Sequence, residues 1–138
     1  MSREKNKQEA ERWFRTAQDD LDTAVILKDR GKFAHACFHA QQAAEKAVKA
    51  IWYVTDADPW GHSIKKLLDD LEQVDLNLFK KLKKLIHPGM VLDRFFIPTR
   101  YPNGLPDINP DQAFIQRDAL DAVRFAEKIL KGIRNCID

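Results

Sequence analysis

The sequence predicts an all-α fold: an up-and-down antiparallel bundle of four or five helices, forming one domain over residues 1–138. Three observations predict it. Early apolar residues recur at three- and four-residue spacing, the period of one helical face. The segment that follows gathers alanines on one broad face. Four of the six prolines are confined to a single stretch late in the chain, which leaves the rest free to be helical. A chain of 138 residues can build one core but would struggle to build two.

The first helix is expected from about Glu4 to Arg30, with Ala10, Trp13, Phe14, Ala17, Leu21, Ala24 and Val25 inward. Gly31, following Lys28 and Arg30, suits the position past a last helical turn. The second helix is expected over Phe33 to Val54. Its inward face carries Phe33, Ala36, Ala40, Ala43, Ala44, Ala47, Ile51 and Val54, against His35, His39, Gln42, Lys46, Lys49 and Tyr53 opposite. Small residues on the packed face let neighbours come close, so this helix should be central. The short connection makes the first two helices antiparallel neighbours.

Asp58, Pro59 and Gly61 then break the pattern, and Ser63 can cap a third helix with Ile64, Leu67, Leu68 and Leu71 inward. A related segment starts near Leu76, with Leu78, Leu82, Leu85 and Ile86 inward and Lys80, Lys81, Lys83 and Lys84 outward. Pro88 and Gly89 should interrupt it, and Met90 to Phe96 should resume it. From Ile97 to Pro110 periodicity vanishes. Asn109-Pro110-Asp111-Gln112 reads as a helix start, and the last helix should bury Ala119, Ala122, Val123, Ala126, Ile129, Leu130 and Ile133.

Composition excludes more than it assigns. A net charge of +2 gives no whole-protein field to draw the chain onto DNA or an anionic membrane. Apolar runs such as Ile51 to Val54 are too short to span a bilayer, and Met1 to Gln8 lacks the apolar centre of a signal peptide. Cys37 and Cys136 lie on separate helices without metal-ligand spacing and read as reduced thiols of a cytoplasmic protein.

No catalytic constellation emerges from spacing. His35 and His39 stand four apart on one face, but neither a third ligand nor an HExxH glutamate accompanies them, so no metal or other cofactor is expected. Ser2 and Ser63 are the only serines, and the five glycines are scattered rather than gathered into a phosphate loop. The lysines at 80, 81, 83 and 84 could track a phosphate backbone, although their alternation with leucines reads first as a solvated face. Arg100 and Tyr101 are the most suggestive pair, bounded by prolines, with Arg94 on the preceding helix. A guanidinium can fork onto phosphate while a phenol stacks on a base. Equally, Arg100 can anchor the loop to a helix C-terminus while Tyr101 packs on the core.

The chain resembles the prokaryotic HEPN-domain proteins. The likeness is carried by His39-Ala-Gln-Gln-Ala-Ala-Glu-Lys-Ala-Val-Lys-Ala50, by Gly61-His62-Ser63, by the stretch Leu92 to Pro102, and by the final helix with Asp118-Ala119. The resemblance implies a helical bundle that pairs into a homodimer and binds a nucleotide or RNA. It also implies a partner, a small nucleotidyltransferase, in a toxin–antitoxin arrangement. Many members are metal-independent ribonucleases that use an Arg followed four to six residues later by a His near the last helix. This chain departs from that pattern, because His87 is its last histidine and no His follows Arg94 or Arg100. Fold, dimerisation and a ligand site at Arg94, Arg100 and Tyr101 are therefore expected, with no catalytic residues. The alternative is a ribonuclease with a non-standard set: Arg94, Arg100, Tyr101 and a histidine from the second helix. Phe38, Trp52 and Trp60 lie outside the apolar stripes or in a loop, as aromatics at a self-contact do.

Overall fold

The computed structural model describes residues 2–137. In order they form α1 (Arg3–Asp29), α2 (Phe33–Val54), α3 (Ile64–Val74), α4 (Leu76–Leu82), α5 (Ile86–Asp93), α6 (Pro110–Ala113) and α7 (Gln116–Ile137). Short 3₁₀ turns occupy Lys83–Leu85 and Pro102–Gly104. Among the described residues there is no strand, and no helix is long and apolar enough to cross a membrane.

Local chemistry sets the first boundaries. The Ser2 hydroxyl accepts from the Lys5 amide at 3.2 Å and caps α1. At the other end Gly31 takes φ +78°, and the amides of Gly31 and Lys32 donate to the carbonyls of Lys28 and Leu27. This left-handed glycine closure turns the chain sharply into α2. Helix α2 is the centre of the molecule. Its alanines at 36, 40, 43, 44, 47 and 50 are fully buried, which lets α1 and α7 lie close on either side. Trp13 stacks on Tyr53 at 5.2 Å, and Arg134 meets Glu11 at 2.7 Å, so the start of α1 adjoins the ends of both α2 and α7. The expected core of the last helix is the observed one, from Ala119 to Ile133.

Four expectations need correction. Pro88 and Gly89 do not interrupt a helix; they lie inside α5. The break comes earlier, at the 3₁₀ turn Lys83–Leu85, so Pro88 falls in the first turn of α5, where its missing N–H is of little consequence. Gly89 serves packing: a Cβ there would stand 2.7 Å from Ile64 Cγ2, so α5 approaches α3 more closely than a side chain permits. The chain does not resume a helix through Phe96, since α5 ends at Asp93 and a run of turns carries residues 94–100.

The helix starting at Pro110 lasts one turn. Asn109 N–H donates to Gln112 Oε1 at 3.0 Å, but Phe114 is extended and the long helix restarts at Gln116. Asp118 accepts from the Ile115 amide at 2.9 Å and marks the new start. Trp52, expected among exposed aromatics, is only 8% exposed and donates its indole N–H to the Leu67 carbonyl at 3.1 Å. It pins α3 to α2, whereas Trp60 does stand out, 84% exposed.

Candidate functional site

The site is assembled by one carboxylate. Asp93, the last residue of α5, accepts from the Ile64 and Lys65 amides at 2.7 and 3.1 Å and from the Ser63 hydroxyl at 2.9 Å. An anionic side chain at an α-helix N-terminus satisfies orphan amides and meets the favourable end of the dipole. The consequence is positional. The end of α5 is fastened to the start of α3, so the turns after Asp93 lie beside His62, the residue before Ser63.

His62 stacks on Phe96, with ring centroids 4.6 Å apart. Its Nδ1 lies 3.2 Å from Glu45 Oε2 on α2. Glu45 is 3% exposed and also takes Lys49 Nζ at 3.1 Å and Gln41 Nε2 at 3.1 Å. Gln41 is fully buried; its amide reaches the His62 carbonyl at 3.3 Å, and its oxygen accepts from Gln42 at 2.7 Å. A buried polar network satisfied in this way holds one geometry. Glu45 thereby fixes Nδ1 of His62 and leaves the other ring nitrogen toward the exposed side of a residue whose side chain is 60% exposed.

Arg100 completes the cluster. Its guanidinium carbon lies 4.4 Å from the ring centre of Phe96, 4.7 Å from that of Phe38 and 4.9 Å from that of Tyr101. Nε donates to the Phe96 carbonyl at 2.9 Å. Among the described residues no carboxylate pairs with Arg100, and its two terminal nitrogens have no protein acceptor. A guanidinium held over aromatic rings, with its fork unengaged, is prepared for a planar bidentate anion. Thr99, 1% exposed, hydrogen bonds to the Phe95 carbonyl and locks the turn that presents it.

Of the three residues singled out in the sequence, Arg100 and Tyr101 are brought together. Tyr101 is not packed on the core; it is 47% exposed beside the guanidinium. Arg94 is exposed on the turn that leaves α5, and among the described residues no hydrogen bond, ion pair or ring contact joins it to the other two. The imidazole on the Phe96 ring comes from the turn before α3, not from α2. His35 is exposed, and His39 sits edge-on to Phe38 with Nδ1 buried and unpartnered. Burial is the main cause that lowers the His39 pKa, with Asp20 opposing it. Among the described residues no three His, Cys, Asp or Glu groups are placed to share a metal ion.

Nucleophiles are scarce. The Ser63 hydroxyl is committed to Asp93 and to the Lys66 amide. Burial, with Asp118 and Asp121 adding to it, pushes the Cys37 thiol up to about 12, so it is not a thiolate at neutral pH. A surface cavity of about 520 Å³ lies elsewhere, along α1, but its Arg12 and Lys46 are already paired with Glu9 and Asp20.

The sequence profile of the HEPN domain matches residues 10–136, nearly the whole chain. The chain belongs to the HEPN domain family. Solved structures agree: TT1696 from Thermus thermophilus superposes with a TM-score of 0.82 at 37% identity, covering 91% of this chain and 96% of that one. ST0689, described as an archaeal HEPN homologue, gives 0.76 at 30% identity over 94% and 98%. The HEPN domain protein tm0613 of Thermotoga maritima gives 0.69 at 30% identity over 91% and 96%. The "Putative toxin MJ1304" of Methanocaldococcus jannaschii is 25% identical over 91% of this chain and 86% of its own length. In this HEPN chain the Gly61-His62-Ser63 stretch that carried the resemblance thus has a structural reading. The turn seats His62 on Glu45 and Phe96, and Ser63 caps α3.

Proposed function

We propose that this HEPN protein is a homodimeric binding module of a toxin–antitoxin-like pair. It grips the phosphate of a nucleotide or RNA through Arg100 and works beside a small nucleotidyltransferase. The observation that carries the ligand reading is the Arg100 guanidinium, held among Phe38, Phe96 and Tyr101 with its terminal nitrogens unengaged. Tyr101 offers a ring face on which a base can stack. The toxin reading is supported by the name of the Methanocaldococcus relative, and the nucleotidyltransferase partner by the resemblance alone. Loss of nucleotide affinity in Arg100→Ala, measured while the variant is folded, tests the ligand reading.

Pairing is supported by apolar side chains left in solvent: Trp60 at 84%, Ile115 at 63% and Ile26 at 60% exposed. Light scattering on a sizing column should return twice the chain mass. A clean 16.0 kDa species at micromolar concentration would end the dimer.

The second reading, a metal-independent ribonuclease, is favoured by one observation: His62, oriented by Glu45, shares the Phe96 ring with Arg100. It is the weaker reading. Cleavage of a phosphodiester needs one group to take a proton and one to give it. Glu45 is 3% exposed and occupied by Lys49, Gln41 and His62, so His62 has only the Tyr101 phenol as an accessible acid–base partner in the cluster. Metal-free protein should leave labelled RNAs intact. Cleavage that co-purifies with the protein and disappears in His62→Ala would reverse the ranking.

A further inference from the structure

From Leu76 to Asp93 the chain is helical almost without a break, since the 3₁₀ turn Lys83–Leu85 joins α4 directly to α5. Residues 76–92 contain no Asp or Glu, in a chain that has 21 of them. The exposed side chains Lys80, Lys83, Lys84, His87, Met90 and Arg94 recur at three- and four-residue spacing. That spacing places them on one outward ridge, while Leu82, Leu85, Pro88, Gly89 and Leu92 are buried on the opposite side. Contact of Leu85 with Gly132 seats the middle of this ridge on α7, where Lys128 and Lys131 are also exposed.

Charge pairing separates this ridge from the outer face of α3. On α3, Lys65 and Lys66 are bonded to Asp69 and Asp70 one turn away. Among the described residues, Lys80, Lys83, Lys84 and Arg94 have no carboxylate partner. With a net charge of only +2, the chain keeps its acids out of residues 76–92 and leaves these cations without an intrachain counter-charge among the described residues. Lys80 to Arg94 spans about 20 Å at the helical rise. The turns that follow Arg94 lead to Arg100 and Tyr101.

We infer that this ridge is a backbone track for single-stranded RNA, ending at the Arg100 platform. The inference rests on the reading of Arg100 as a phosphate contact and extends it: the ligand is a strand several nucleotides long, of which a mononucleotide fills only the Arg100 end. A row of flexible ammonium groups neutralises successive phosphates without reading sequence, and aromatic faces at its end stack bases. An acidic protein would be attracted by the same charge but has no use for the exposed Tyr101 face beside the guanidinium.

The test compares two double variants with the same loss of charge, Lys83→Gln with Lys84→Gln on the ridge and Lys65→Gln with Lys66→Gln on α3. Each binds an unstructured uridine-rich RNA between about 50 and 200 mM salt, and each is also titrated with UMP. The ridge variant should bind RNA more weakly, with the slope of log affinity against log salt shallower by about 1.4, two phosphate contacts at roughly 0.7 each. The α3 variant should keep the parent slope, and UMP affinity should be unchanged in both. Equal slopes in parent and ridge variant overturn the track while leaving UMP binding, and with it the Arg100 reading, intact. Equal loss in both variants shows a diffuse charge effect and also overturns it. Displacement of the RNA by an equal charge of poly-glutamate would assign the ridge to an acidic protein. Failure of the parent to bind either UMP or RNA removes the Arg100 reading and the track together.

Discussion

Replacement of Glu45 by alanine should destabilise the protein by about 3–5 kcal/mol, the usual consequence of breaking a buried ion pair. Lys49 is 12% exposed on its side chain and would be left without its carboxylate. Gln41, fully buried, would lose one of two acceptors for its amide, and His62 would lose the group that orients it. The penalty comes from orphaned polar groups more than from the lost attraction. Glu45→Gln, which keeps shape and one acceptor, should cost less. Adding Lys49→Met to Glu45→Ala should recover part of the loss, because the unpaired cation is removed. Urea unfolding monitored by circular dichroism reads all four proteins. A Glu45→Ala midpoint equal to that of the parent would mean that the Gln41–Glu45–His62 network does not hold this end of the bundle together.

Much of the fold was legible because it depends on periodicity and end signals. The interior of α7 follows from its alanine and isoleucine spacing, and the bounds of α2 from Gly31 on one side and Pro59 beyond the other. Ser63 was readable as a cap, but its partner Asp93, thirty residues away, was not. Pro88 and Gly89 misled because a proline's meaning depends on its distance from the helix start, which the 3₁₀ turn shifted. Gly89 is a glycine because Ile64 leaves no space for a Cβ, a fact of helix–helix contact that no local pattern carries.

The candidate site was half legible. Arg100 and Tyr101 stood out by chemistry and by the prolines around them. Gln41 and Glu45 were hidden, since neither falls on the alanine face or among the polar residues opposite it, and their partners, His62 and its carbonyl, lie beyond a loop. Phe38, read in the sequence as an aromatic outside the apolar stripe, lies under the guanidinium. Arg94, expected at the same ligand site, is exposed on the turn that leaves α5, with no hydrogen bond, ion pair or ring contact to Arg100 or Tyr101 among the described residues.

Arg100 has a structural share, through Nε and the aromatic faces, and a free share, through its terminal nitrogens. The variants must separate them. Arg100→Ala removes both; Arg100→Lys keeps the charge but not the planar fork, and such a change is not conservative at a stacked site. Loss of a charge-assisted contact of this kind should weaken binding by about 1.5–3 kcal/mol, on the order of 10- to 150-fold. Arg100→Ala should also melt somewhat earlier, since the turn after α5 loses its anchor. The most direct measurement is calorimetric titration of the parent and both variants with AMP, at a temperature where circular dichroism shows each fully folded. The account predicts that AMP binds the parent, that Arg100→Ala loses affinity by that factor, and that Arg100→Lys fails to restore it. Parent-like AMP affinity in fully folded Arg100→Ala would contradict the account and leave Arg100 as an anchor of the loop.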